Sequence, residues 1–418
     1  MRHDKDVWYA AFSPNGKWVV TASSDQTARV WEAVSGKPVS QPLRHDGNVT
    51  TVAFSPDGKW VLTASADGTA RLWEPTTGKA VGLPLRHDAA VTSAAFSPDG
   101  IWVVTASADG TARVWETATC KAVGEPLRHE SSVSSAAFSP DGKWVVTASA
   151  DHTARVWDAA TGKPVGETLR HDGVVNCVAF SPDGKLVITA STDGTARLWE
   201  SATGKALGEP LRHNGGVSSA AFSPDGRRVV TASWDSTAQV WAVATCKPMG
   251  EALRHDGAVN SAAFSPDGRW VVTASADYTA RVWETATGKP VGQPLQHRGY
   301  VWRAAFSPDG KWVVTASADG MARVWETMTG KSLGQPLHHN GVVKSAAFSP
   351  DGRWIVTASA DGTGRVWEAA TGKVVGEPLR HDRVVNSAAF SPDGKWIVTA
   401  SADHTARGMG GGDWQSGG

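Results

Sequence analysis

The stretch that decides the fold is HDGNVTTVAFSPDGKWVLTASADGTARLWE, residues 45–74. Val49 to Phe54 is a short run of β-branched and apolar residues, and it ends on the turn Ser55-Pro56-Asp57-Gly58. Proline presets φ and glycine accepts a positive φ, so the chain reverses tightly into an antiparallel neighbour. Trp60 to Ser65 is apolar on both faces apart from Thr63 and Ser65, as expected of a strand covered from both sides. Asp67-Gly68 turns it back into Thr69 to Trp73, a hairpin signal. Thr77-Gly78-Lys79 then leads to a fourth, polar strand near Val81 to Leu85. Pro84 lacks a backbone donor and belongs at an edge, which makes this strand the outermost.

The same unit recurs every 42 residues: His from His3 to His381, Phe from Phe12 to Phe390, and Trp from Trp31 to Trp367. Such a period means one supersecondary unit repeated, each copy burying the apolar face that its neighbour cannot bury alone. The short strands and proline-glycine turns exclude a helical solenoid. Hairpin connections disfavour a parallel β-helix, whose coils need crossover turns. Four-stranded antiparallel sheets repeated radially give an all-β propeller.

Charge and composition narrow the function classes. Lys+Arg and Asp+Glu both number 41, so there is no global pull toward nucleic acid or an anionic membrane. No stretch approaches the length of an apolar membrane span, and Met1-Arg2-His3-Asp4 has no secretory character. Cys120, Cys177 and Cys246 are an odd, sparse set, two of them at a turn position that most units fill with glycine. They are expected to be free thiols in a reducing compartment, which points to the cytoplasm.

His, then Phe-Ser-Pro-Asp-Gly, then Thr-Ala-Ser-x-Asp, then Trp-Glu or Trp-Asp: this order resembles the WD40 repeat family, and within it the highly repetitive bacterial-type arrays of near-identical units. It extends over residues 1 to about 407. Arg-His, Gln-His or His-His stands where the family usually has Gly-His, and Trp-Glu mostly replaces Trp-Asp, while His and Trp themselves persist. The resemblance implies a hydrogen-bonded tetrad within each blade, such as His45, Thr63, Asp67 and Trp73, and a non-enzymatic scaffold for protein or peptide partners. The chemistry of the residues agrees, because a half-buried His and Asp are tolerable only when paired and an indole N–H needs an acceptor. Spread one per blade, these His and Asp residues cannot converge on a metal. There is no phosphate-binding glycine loop and no cysteine pair at zinc spacing. No catalytic, cofactor-binding or metal-ligating residue is therefore expected.

In a near-perfect repeat, departures from the template carry the individuality of the chain. They fall at three loop-proximal positions: after the tetrad Asp (Gln26, His152, Ser236, Tyr278, His404), before it (Ser24, Thr192, Trp234), and early in the innermost strand. The large ones are Trp8, Tyr9, Trp234, Tyr278, Arg298, Tyr300, Trp302, Arg303 and Lys344, rich in the aromatic and arginine side chains that binding hot spots favour. On a nine-membered ring they form an almost continuous arc on one rim. A protein or peptide partner fits them better than nucleic acid, and no membrane partner is implied. The alternatives are drift in a recently amplified array without a selected ligand, packing beside an irregular closure, or a fragment of the sensor array of a larger signalling protein. Trp18, Trp60 and the other tryptophans that open the second strands recur with the period and belong to the scaffold.

Nine units, residues 1–380, carry all four strands, and a nine-bladed ring is the simplest closed solution; seven or eight blades would strand whole units. Residues 381–407 begin a partial tenth unit whose two apolar strands would be marginal alone, open to stacking, exchange or self-association. Residues 408–418 form a Gly-rich aberrant tail, expected to be disordered. The tail can be derived: Val366 to Gly376 can be encoded by codons that, with one extra G before them, read Gly-Met-Gly-Gly-Gly-Asp-Trp-Gln-Ser-Gly-Gly, which matches every tail residue. Met1-Arg2-His3-Asp4 likewise falls where other units read Leu-Arg-His-Asp, so the array is expected to be part of a longer one. The coding DNA should show repeat-homologous bases in the shifted frame from codon 408 onward; bases unrelated to the repeat there overturn the frameshift reading.

Overall fold

The computed structural model describes residues 1–411. Blade 2 shows the unit: Val49–Phe54, Val61–Ser65, Thr69–Trp73 and Ala80–Arg86 pair in that order, each antiparallel to the next. The second strand is buried along its whole length because a neighbouring blade covers each face. Gly68, at φ 80°, makes the turn between the second and third strands. In the first strand Val49 pairs with Ser65 and Thr51 with Ala64, which leaves Thr50 as the extra residue of a β-bulge. The same bulge recurs in other blades, where Trp8, Trp302 and Lys344 occupy it.

Ten such sheets follow one another along the chain, nine with all four strand positions filled and a last one of three strands. Ten apolar clusters join them, one per seam. Between blades 1 and 2, for example, Val20, Val30 and Leu43 meet Val49, Val61 and Trp73. The first strands stand side by side around the centre, and their bulge residues link neighbours. Thr92 Oγ1 donates to Val133 O at 2.7 Å, and Asn260 Nδ2 to Val301 O at 3.1 Å.

The expected nine-bladed ring is corrected to ten blades. Asn386 Nδ2 of blade 10 donates to Val7 O of blade 1 at 3.2 Å, the same link that joins blades 2 to 3, 3 to 4, 6 to 7 and 7 to 8. Val398, Ala400 and Ala406 of blade 10 pack on Val7, Val19 and Trp31 of blade 1. The outer position of blade 10 is filled from the other end of the chain: Arg2 stands opposite Thr405, the His3 N–H donates to His404 O at 2.7 Å, and the Ala406 N–H donates to Met1 O at 3.0 Å. Arg44 stands opposite Thr27 in the same way within blade 1. The physical reason is that a short outer strand contributes mainly backbone groups. Blades 1, 4 and 5 have outer strands of only two residues, so Met1-Arg2 suffices. The apolar hairpin thus becomes an ordinary blade.

Its third strand runs Ala406–Gly410 and includes the first three residues of the Gly-rich stretch. The Gly411 N–H then donates to Lys395 O at 2.6 Å, and residues 412–418 of that stretch lie outside the described residues. Met409 stands opposite Ile397 where other blades place tryptophan, as Trp73 stands opposite Val61. Gly364 of blade 9, which faces Thr399 of blade 10, likewise stands where every other third strand has alanine, and the consequence of the two departures is local. The seam between blades 9 and 10 has four fully buried apolar members, Val356, Val366, Leu379 and Ile397, where each other seam has at least eight. Met409→Trp should fill this seam and give Thr399 its missing indole donor, stabilising blade 10 by about 1–2 kcal/mol. Slower hydrogen exchange of the Trp396–Ser401 amides and a higher Tm would show it; unchanged exchange would mean that this seam does not limit opening.

Candidate interaction face

The tetrad histidines and aspartates occupy one face of the ring, brought there by the loop that leads into each blade and by the turn between its second and third strands. In blade 2, Trp73 Nε1 donates to Thr63 Oγ1 at 2.8 Å, and Thr63 Oγ1 lies 2.7 Å from His45 Nε2. An indole can only donate, so the threonine oxygen accepts from it and passes its own proton toward Nε2. His45 Nδ1–H then donates to Asp67 Oδ2 at 3.0 Å. Thr69 Oγ1 and its backbone N–H both donate to Asp67 Oδ1, and the Asp46 N–H donates to Oδ2. Burial holds His45 below its usual pKa despite Asp67, so the imidazole is neutral. Burial alone would raise the Asp67 carboxyl, but its hydrogen bonds outweigh that and hold it below the usual carboxylate range; Asp109 reaches about 2 in the same setting.

The arrangement recurs round the ring, with Met409 replacing the indole in blade 10. Both ring nitrogens of every tetrad histidine are engaged within the blade, which leaves no free base to act on a substrate.

The departures from the template sit around this face. Tyr278 keeps the left-handed backbone, φ 72°, that glycine adopts at its position in other blades. Its ring lies 5.5 Å from that of Tyr300, in the loop leading into blade 8, and Tyr300 lies edge-on to Trp302 at 5.9 Å. The three rings are 44%, 46% and 43% exposed and form one run across the seam between blades 7 and 8. Arg298 and Arg303 are exposed beside them, and Lys344 is exposed at the bulge of blade 9.

The other candidates are not gathered into that run. Trp8 Nε1 donates to Ser24 Oγ at 2.6 Å, joining two departures within blade 1. Tyr9 is exposed beside it. Trp234 lies over Gly216: a Cβ there would meet its ring at 2.9 Å, so glycine makes the room that the indole occupies. Blade 10 stands between Lys344 and Trp8, so the continuous arc expected of a nine-membered ring is interrupted.

At that seam His404, one of the departures after a tetrad aspartate, meets two residues that the sequence reading did not single out, Asp6 and Arg383. Asp6 Oδ1 of blade 1 lies 3.3 Å from His404 Nε2 and 3.9 Å from Arg383 Nη1 of blade 10. The available signal was Arg383 at a position that most blades fill with a small residue, with opposite charge at Asp6. These partly exposed pairs contribute about 0–1 kcal/mol each.

A closed ring of repeated four-stranded blades, stapled by buried tetrads and varied on one face, defines a repeat propeller. The chain belongs to the WD40 family: the WD domain, G-beta repeat matches residues 1–32, 36–74, 82–116, 288–326, 330–368 and 372–407, more than half of its length. The family described as IFT122 first beta-propeller matches residues 132–303. No curated protein matches. Among solved structures, the crystal structure of the computationally designed Ika8 protein is similar, with 29% sequence identity and a TM-score of 0.56, covering 78% of this chain and 97% of that one.

The tetrads make stability depend on pH. Folding lowers the pKa of His3, His45, His87, His129, His171, His213, His255, His339 and His381, His339 to about 4, against 6.5 in an exposed chain. Below 6.5 the unfolded chain takes up protons that the folded chain refuses, so stability is full above that pH and falls toward 4. The tetrad aspartates, held to about 2 at Asp151 and Asp361, extend the loss below 3.8. Scanning calorimetry at constant ionic strength should show Tm falling steeply as pH drops from neutral; a flat Tm across this window would contradict neutral buried histidines.

Proposed function

We propose that the chain is a non-enzymatic scaffold that binds a protein or peptide segment on its tetrad face, over Tyr278, Tyr300 and Trp302. The observation that carries this reading is the run of three touching yet half-exposed rings, contributed by two blades, at three positions that are all aromatic at no other seam. Holding Tyr278 in the left-handed region costs about 1–2 kcal/mol that glycine avoids. Large rigid rings exposed together are the usual anchors of a binding interface.

Trp8 and Trp234 support a different reading of their own positions. Each has a local companion, Ser24 or Gly216, and fits packing that followed repeat amplification. A balanced total charge favours a polypeptide over nucleic acid. The free thiols Cys120, Cys177 and Cys246 support a cytoplasmic setting.

Selection of a displayed random-peptide collection on the immobilised protein should enrich a sequence motif, and the variant Tyr300→Ala/Trp302→Ala should lose that enrichment while keeping its circular dichroism and Tm. Failure to enrich any motif, or equal enrichment by the variant, overturns the assignment.

A further inference from the structure

The tetrad face is charged unevenly, and the uneven part coincides with the aromatic run. In seven of the ten blades the exposed residue after the tetrad histidine is Asp or Glu, as at Asp46, Glu130 and Asp256. An exposed arginine such as Arg44 or Arg254 precedes the histidine in eight blades, those seven included, so the rim is balanced in the seven; blade 8 has Gln296 before and Arg298 after its histidine, and blade 9 has His338 and Asn340, so blade 8 carries a cation with no carboxylate next to it. The innermost strands add to that charge. Their bulge residues are Thr, Ser, Asn or Trp in every blade but one, which has Lys344, and the residue after the bulge is cationic only at Arg303.

Arg298, Arg303 and Lys344 are all exposed, and none has an ion-pair partner among the described residues. Asp319 and Asp361, the carboxylates built into the same two blades, are buried and committed to His297 and His339. Three unpaired cations thus surround Tyr300 and Trp302 within a ring whose other sectors carry exposed carboxylates.

We infer that this sector of blades 7 to 9 recognises an acidic polypeptide segment, one that carries several carboxylates around an apolar side chain seated on Tyr300 and Trp302. The inference rests on the proposed scaffold role and specifies its ligand. In the sectors to either side the carboxylates Asp256 and Asp382 compete with such a segment for the neighbouring Arg254 and Arg380, so the cations left without a carboxylate beside them favour blades 8 and 9, and charge complementarity fixes position and register more than affinity. Exposed cations act through water and are screened by salt, so the contribution of the three charges fades as ionic strength rises.

The test uses the whole chain and fluorescent synthetic peptides that share one aromatic-apolar core, with Glu, Ser or Lys at all flanking positions, plus an oligothymidylate. The comparison variant is Arg298→Asp/Arg303→Ser/Lys344→Thr, which installs residues that other blades already carry at those positions and so keeps the fold. The Glu peptide should bind most tightly and the Lys peptide least. Its binding should weaken with added salt, and the triple variant should weaken it at least about tenfold. Equal binding of the Glu and Ser peptides, indifferent to the triple variant but lost in Tyr300→Ala/Trp302→Ala, overturns the charge inference while leaving the scaffold reading intact. Preference for the Lys peptide, tighter binding of the oligothymidylate, or no binding of the Glu peptide also overturns it.

Discussion

At each junction of the ring a histidine backbone N–H donates to the turn carbonyl of one blade while its imidazole donates to an aspartate of the next. His45 does this between Gln26 and Asp67, His213 between Gly194 and Asp235, and His3 between His404 and Asp25. Each histidine therefore belongs to two blades, and its doubly bonded ring sets how one sheet follows another. The apolar seams supply most of the cohesion, since hydrophobic burial is large but non-directional. The histidine supplies the direction. Because the next threonine and tryptophan bond in series behind it, a blade that loses one member leaves other buried polar groups without partners.

The same device explains how the ring closes on ten blades. His3 finds His404 and Asp25 as any other histidine finds its two blades, and the two residues ahead of it take the outer place in blade 10. Closure requires no specialised side chain, only backbone groups in register and a histidine two residues into the chain. Met1 contributes to the apolar cluster of that seam alongside Val7 and Val19. The weakest packing lies one seam earlier, where Met409 replaces an indole. The place where the two ends of the chain meet is thus better filled than the place where the repeat degenerates.

The repeat, the strand order, the turns and the tetrad were legible in the sequence because each rests on residue chemistry recurring at fixed spacing. Asp67-Gly68 has to turn, Pro84 has to lie at an edge, and His45 and Asp67 have to pair if buried. The number of blades was not legible by the same means. Counting complete units gave nine, because Met1-Arg2 is too short to read as a strand and Gly408-Met409-Gly410 has no strand character. Both are held by backbone hydrogen bonds to partners at the opposite end of the chain or in the preceding strand, which side-chain patterns do not encode. At the candidate face, the sequence picked out Tyr278, Tyr300 and Trp302 as departures. It did not show that these three touch, that Trp8 turns to Ser24, or that blade 10 separates Lys344 from Trp8. Those outcomes depend on the bulge in each first strand and on the curvature of the ring.

The bulge also accounts for where the chain has been free to vary. Trp8, Trp302 and Lys344 stand outside the ladder, so their side chains carry no duty in strand pairing, and Tyr278, which follows the tetrad aspartate, joins the next histidine, His297, through its backbone carbonyl and leaves its ring free. Variation at these positions leaves the staples and seams intact. Freedom alone predicts scattered substitutions, each accommodated inside its own blade, and Trp8 with Ser24 fits that description. It does not predict Tyr278 and Tyr300, which come from different blades and meet across a seam; Tyr278 shares its left-handed backbone with Gln26, His152, Ser236 and His404, so the contact between the rings is what sets it apart. Such an aromatic contact adds about 0.5–1.5 kcal/mol to the seam, no more than the left-handed backbone of Tyr278 costs, so the ring gains little from it and the proposed partner gives it a use.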